Sequence, residues 1–311
     1  MMADRIWPWM LALTAVLVAV MAALFARLRE VPDFDLAYLP ALLFLMCLSV
    51  FFNGLRIKVL TGVFHVQLGV RESFNLAVLT TVGNHLIPFR GGAGFRAYYL
   101  KKKHGFPYTK FVSTMVATYL VIFSLYGLLG FSSVLYIGLT GTSFNLELAG
   151  FFGLLCLFAV SVALLKPSFK SSNPVLGRVG RSFSGVAAIF GDYRTLLALV
   201  GVELFTAALV VARFYLIFNS VGYDVALLPC VFISIVSMLS VLINLTPAGL
   251  GVKELAVSFS SGLLGYGLAE GLLVGVVERF ITVSTVFLLS PVAGLNLMRE
   301  YVREGRSDGK G

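Results

Sequence analysis

Apolar residues run along this chain in blocks of the length a bilayer demands, with most of the charge collected between them. A helix needs about 20 mostly apolar residues to cross the hydrocarbon core. The stretches Ile6–Ala26, Leu36–Asn53, Phe111–Leu139, Leu148–Leu165, Thr195–Phe218 and Ala269–Leu297 meet or approach that length. Two more apolar stretches, Phe74–Ile87 and Leu227–Thr246, stop at Pro88 and Pro247, and closely spaced glycines follow each proline. Proline removes a ladder donor and clashes with the preceding turn, so these two are predicted to be broken or re-entrant helices. The pattern predicts an all-α, polytopic membrane protein: about six full spans plus two broken helical segments in one integral membrane domain over residues 1–311. Ile6–Ala26 is too long for the apolar region of a signal peptide, which runs to about 7–15 residues, and reads as a retained span.

Composition agrees with the pattern. Hydrophobic residues make up 59% of the chain and charged ones 13%, where soluble domains run at about 45–50% and about 25%. One soluble core could not hide that much apolar surface, whereas lipid acts as its solvent. Cys47, Cys156 and Cys230 sit inside apolar runs with no metal or redox spacing, and read as small apolar side chains. His65, His85 and His104 have no metal-ligand spacing to one another or to a cysteine or acid. No HExxH, GxSxG or paired-carboxylate motif occurs, so neither metal nor cofactor is expected, and a transporter is favoured over an enzyme.

The net charge of +9 sits where it says something about topology rather than nucleic acid, and no nucleic-acid partner is expected. Arg56, Lys58 and Arg71 follow the second span. Residues 89–110 hold Arg90, Arg96, Lys101, Lys102, Lys103 and Lys110 without an acid. The loop read at 166–194 and the C-terminal tail are also rich in Lys and Arg. The segments 140–147 and 219–226 have neither. Basic loops stay on the cytoplasmic side, so the chain is expected in the cytoplasmic membrane with both termini inside. Lys101-Lys102-Lys103 with His104 reads first as a topology marker and second as a patch for anionic headgroups. Arg213, near the end of its span, reads as a snorkelling side chain.

This threading makes 73–139 and 227–297 units of opposite orientation, and their sequences are weakly related. The first reads Asn84-His85-Leu86-Ile87-Pro88, then Gly91-Gly92-Ala93-Gly94-Phe95-Arg96; the second reads Asn244-Leu245-Thr246-Pro247, then Ala248-Gly249-Leu250-Gly251-Val252-Lys253-Glu254. Broken helices at matching places in two inverted halves are the sequence pointer to a transporter's binding site. A helix that starts after a glycine-rich turn offers free N–H groups to phosphate. Arg90 and Arg96 beside Gly91, Gly92 and Gly94, and Lys253 beside Gly249 and Gly251, would add charge-assisted bonds. The alternative is that these Pro and Gly residues serve close helix packing.

Ionisable residues inside a span are expensive and usually paired or facing a wet cavity. Glu203 is one, and Glu278 and Arg279 are two more. The last two are adjacent and project about 100° apart, so Arg279 is expected to pair with Glu203 or Glu254. His85, just ahead of Pro88, is the histidine placed to matter.

The segments Pro88-x-Arg90-Gly91 to Arg96 and Pro247-Ala248-Gly249-Leu250-Gly251-Val252-Lys253-Glu254, with Glu278-Arg279 later, resemble the lysylphosphatidylglycerol synthase transmembrane, flippase-like family. The resemblance covers about Asn53 to Leu297. It implies the membrane half of those proteins without the aminoacyl transferase domain, and movement of a lipid. Members often carry a Glu-Arg pair in the first unit too, where this chain has Thr118-Tyr119, and Lys253 stands where Arg is more usual. The expected function is flipping of an anionic, aminoacylated or polyprenyl/hopanoid-type lipid, with membrane lipids as partners and a lipid-synthesis enzyme as a further one. An accessory subunit of a cell-envelope enzyme and a small-anion transporter are the alternatives.

Overall fold

The computed structural model describes residues 34–87, 89–139, 145–165, 174–240 and 249–307, which form helices and the turns between them, with no strand among them. The expected span Ile6–Ala26, Pro88, Asn244 and Pro247 lie outside the described residues. In chain order the helices are α1 (Leu39–Gly62), α2 (Val70–Leu86), α3 (Gly91–His104), α4 (Tyr108–Leu139), α5 (Leu146–Leu165), α6 (Pro174–Gly191), α7 (Tyr193–Ser220), α8 (Leu227–Ser240), α9 (Val252–Leu263) and α10 (Leu268–Ser307). A 3₁₀ turn, Leu36–Tyr38, leads into α1. Five of these elements (α1 with its 3₁₀ turn, α4, α5, α7 and α10) are long and apolar enough to cross a membrane.

Local chemistry sets the ends. Asp192 caps α7, accepting from Arg194 N at 3.2 Å and Thr195 Oγ1 at 2.6 Å. The α3 helix stops at Gly105, whose φ of 64° suits a residue without Cβ, and Phe106 N reaches back to Leu100 O at 3.1 Å. Between α2 and α3 the chain turns through Phe89 and Arg90, both left-handed at φ 54° and 59°. That conformation costs about 1–2 kcal/mol per non-glycine residue and aims α3 back beside α2. The two helices touch where Gly83 and Gly92 meet: a Cβ on Gly92 would lie 1.8 Å from Thr80 O.

The contacts come in matched sets. The first long helix of each half, α1 and α7, pack on each other; α2 packs on α10, and α8 packs on α4. Each half therefore lends its broken segment to the other half's last long helix. The core follows, with Leu42, Leu76, Phe214 and Ile281 in one apolar cluster drawn from α1, α2, α7 and α10. Leu154, Leu157, Phe158 and Leu164 of α5 point outward, as lipid-facing residues do.

The polar ends sort by sign. At one end, Asp35 N binds Ser220 O at 2.7 Å and the Phe218 and Tyr266 rings lie 6.3 Å apart. Asp35, Asp224 and Glu270 belong to this end, with no Lys or Arg among the described residues there. At the other, Arg71 binds Asn296 at 3.0 Å and Ser113 binds Ser182 O at 2.8 Å. Lys101, Lys102, Lys110 and Arg181 gather at that second end.

One expectation is corrected. The stretch read as a basic loop over 166–194 contains α6, whose Ser182, Val186 and Ile189 are buried while Arg181 and Ser184 are exposed. That i, i+4, i+7 spacing makes an amphipathic helix, which packs on α4 and is not among the helices long and apolar enough to cross a membrane. Five basic residues in and around it (Lys166, Lys170, Arg178, Arg181 and Arg194) hid this periodicity behind a charge count.

Candidate functional site

Polar stripes on the long helices converge on one cavity of about 380 Å³. Ser49, Asn53 and Arg56 share a face of α1; Glu203, Thr206 and Arg213 share a face of α7; Thr282 and Arg279 come from α10. Both broken hairpins reach it: Thr80, Thr81, Asn84, His85, Arg90 and Arg96 from the first, and Lys253 from the second. Tyr119 and Tyr126 of α4 close the side.

The charges are paired in a definite order. Arg56 donates to Glu203 at 2.8 Å and to Asn53 Oδ1 at 2.5 Å. Glu278, only 1% exposed, accepts from Arg213 at 3.1 Å and also from Lys253. Arg213 additionally donates to Ser49 at 2.6 Å. Arg279 is held by Glu254, and its second nitrogen reaches Gly249 O at 3.1 Å. Such pairing is what makes buried charge tolerable away from water.

The first hairpin is different. The Arg90 guanidinium lies 5.1 Å from the centroid of the Tyr119 ring, and that of Arg96 lies 5.1 Å from the centroid of Phe111. No carboxylate bonds Arg96 among the described residues. Aligning Arg96 with Lys253 sets Ala97 opposite Glu254, and Thr118-Tyr119 stands opposite Glu278-Arg279. At these aligned positions the second half carries carboxylates and the first does not. Among the described residues six cations line the cavity (Arg56, Arg90, Arg96, Arg213, Lys253 and Arg279), and the three carboxylates Glu203, Glu254 and Glu278 pair with four of them. A site so rich in cations in a low-dielectric setting attracts anions.

Not every residue singled out in the sequence faces this cavity. Arg90, Arg96, Lys253, Arg279, Asn84, His85 and Glu203 line it. Gly91 abuts Ile87 and Gly92 abuts Thr80, so these two serve close packing, while Gly94 is open and exposed. Some of the helix-end N–H groups expected to meet phosphate have internal partners: Gly251 N donates to Glu254 at 2.9 Å, and Ala93 N to Arg90 O at 2.8 Å and Asn84 Oδ1 at 3.2 Å. The His85 ring is within 2.8 Å of Thr81 O.

Two readings are corrected. Arg213 does not snorkel; it is 4% exposed and tied to Ser49 and Glu278. Arg56 is not a loop cation, because α1 continues to Gly62 and carries it into the cavity to meet Glu203. Of the two acids considered for Arg279, Glu254 is its partner. The spacing Ser49, Asn53, Arg56 and the spacing Glu203, Thr206, Arg213 are the helical stripes that would have found these residues.

At the basic end a separate cluster ties the first hairpin to α10. Glu72 accepts from Tyr99 at 2.7 Å, Lys103 at 2.9 Å and His104 at 2.8 Å, and Lys103 lies 3.9 Å from Glu300. Burial pushes the Glu72 carboxyl up, but bonds from His104, Tyr99 and Lys103 outweigh it and hold it at about 2. Lys103 is thus a structural tie, while Lys101 and Lys102 remain exposed.

An all-helical polytopic membrane protein with a cation-rich cavity between two broken hairpins is the class this fold and site define. Residues 8–290 match the family model of the lysylphosphatidylglycerol synthase TM region, and the chain belongs to that family. No curated protein and no solved structure matches it. The family places the chain among membrane domains connected with lipid.

Proposed function

We propose that the protein moves a lipid with an anionic headgroup across the membrane, without chemically altering it, and that the headgroup phosphate is held at Arg90 and Arg96. One observation carries this reading: Arg96, on the first hairpin, lines the cavity over the Phe111 ring and has no carboxylate for company among the described residues. A phosphate would supply the missing negative charge through charge-assisted bonds that guanidinium forms well. The matched packing of α2 on α10 and of α8 on α4 supports reading the halves as inverted repeats, the layout in which a central site opens to each side in turn. The sorting of Lys and Arg to one end supports placing that end in the cytoplasm.

The test is a headgroup-accessibility assay in proteoliposomes with chain-labelled phosphatidylglycerol. Wild-type protein is expected to speed exchange between leaflets, and Arg96→Ala to slow it by roughly tenfold or more, as loss of a charge-assisted bond does. Equal rates for wild type, a folded Arg96→Ala protein and empty vesicles would reject the proposal.

A further inference from the structure

One titratable side chain on the cavity wall takes no part in the ion-pair network. His85 lines the cavity from the last turn of α2. Its Nδ1 lies 2.8 Å from Thr81 O, a carbonyl oxygen that can only accept. Nδ1 therefore carries a proton in both the neutral and the charged ring, and Nε2 is the nitrogen that titrates. Nε2 has no hydrogen-bond partner among the described residues, and it is not sealed from water. The other ionisable groups of this wall are Arg, Lys, Glu and Tyr side chains, so His85 is the one whose ordinary range spans neutral pH.

The charges around the ring decide what it can do. Arg279 and Glu278 of α10 and Lys253 of α9 act on it electrostatically. The helix α1 and the first hairpin add Arg56, Arg90 and Arg96 to the same wall. Like charge opposes a proton on the ring, while Glu278 and the carbonyl end of α2 favour it. In a cavity of about 380 Å³, an anionic headgroup comes close enough to tip that balance toward the charged ring.

We infer that the protein takes up a proton together with its anionic headgroup, and that Nε2 of His85 binds it. The inference rests on the reading of the cavity as an anionic-headgroup site. The proton comes from water on the side to which the cavity is open and returns to water when the headgroup leaves, with no other bond made or broken. The coupling is reciprocal: the protonated site holds the anion more tightly by the same factor by which the anion favours the proton. A headgroup and a proton that load together also leave together, so a proton gradient gives the movement a direction.

Isothermal titration of the detergent-solubilised protein with a short-chain phosphatidylglycerol, in two buffers that differ in their heat of protonation, counts the protons bound per lipid. A diester phosphate keeps its single charge across the neutral range, so a proton counted there belongs to the protein. Wild type is expected to take up a proton as the lipid binds, and to bind more tightly from about pH 8 down to about pH 6, by at most about tenfold per pH unit. His85→Gln, which can still donate to Thr81 O, is expected to bind with no proton uptake and a flat pH profile. Saturable binding to wild type with no proton uptake would overturn the inference and leave the headgroup site standing, whether or not the variant folds. Uptake that persists in folded His85→Gln would put the proton on another group of the wall, such as Lys253, and overturn it equally. No binding at all by folded wild type would remove the headgroup reading and the inference with it.

Discussion

Arg213 on α7 and Glu278 on α10 form an ion pair at 3.1 Å with their side chains 5% and 1% exposed. Lys253 of the second hairpin joins the same carboxylate. One acid therefore ties two long helices and a broken segment together, and its loss would leave two cations without their shared carboxylate. Removing one partner of a buried pair costs about 3–5 kcal/mol, whereas replacing the whole set with apolar residues is often close to neutral. Glu278→Gln is expected to destabilise the protein by about that amount. The triple variant R213M/K253M/E278M is expected to recover much of the loss. Thermal unfolding in detergent checks both, and a wild-type melting temperature for Glu278→Gln would show that the network does not hold the fold.

The two glycines Gly92 and Gly94 give a paired prediction about the first hairpin. A Cβ on Gly92 would strike Thr80 O, which is backbone and cannot rotate away, while one on Gly94 meets nothing within 4 Å. Gly92→Ala is expected to push α3 off α2, lowering stability by about 1–3 kcal/mol, as overpacking does. Gly94→Ala is expected to raise stability by about 0.5–1 kcal/mol, because alanine is the better helix residue. Melting curves of the two single variants should move in opposite directions, and equal losses would mean that the contact at Gly92 is not tight.

The Glu72 cluster makes the hairpin base sensitive to acid. An unfolded Glu titrates near about 4.3, and the folded carboxyl is held at about 2. A depressed folded value contributes stability that is fully present above the unfolded value and is lost as pH falls toward the folded one. Hydrogen-exchange protection factors at the ends of α2 and α3, taken against the intrinsic rate at each pH, are therefore expected to fall in wild type between about pH 5 and about pH 3. Glu72→Gln should exchange faster at neutral pH and show little of that added acid response. An identical pH response in the two proteins would rule out Glu72 as its source.

Much of this architecture is legible in the sequence, and the gaps have physical causes. The long spans and the break after α2 follow from bilayer thickness and from proline and glycine chemistry, and five of the expected spans appear where the pattern puts them, while Ile6–Ala26 and the break at Pro247 lie outside the described residues. The pairing of Arg279 with Glu254 was within reach because adjacent charges in a span must find partners. Arg56 and Arg213 were hidden for one shared reason: cations near the apparent ends of apolar runs look like topology markers, and only the helical stripe they share with Ser49, Asn53, Glu203 and Thr206 shows that they face inward. The α6 helix was hidden because its apolar face is narrow and its charges dominate a loop reading. Tyr119 and Phe111 could not be assigned beforehand, since nothing in the sequence says which aromatic ring a guanidinium will cover. The glycines were legible as a motif but not as to purpose: contact distances, not spacing, assign Gly92 to packing.

The central claim is that Arg90 and Arg96 hold an anionic headgroup, and site occupancy tests it without relying on transport. Isothermal titration of the detergent-solubilised protein with a short-chain phosphatidylglycerol below its micelle concentration measures it directly. Saturable binding to wild type, weakened by roughly a hundredfold in the double variant R90Q/R96Q as two bonds to charged groups are lost, is the predicted result. Binding of equal strength in the two proteins, both folded, would contradict the account.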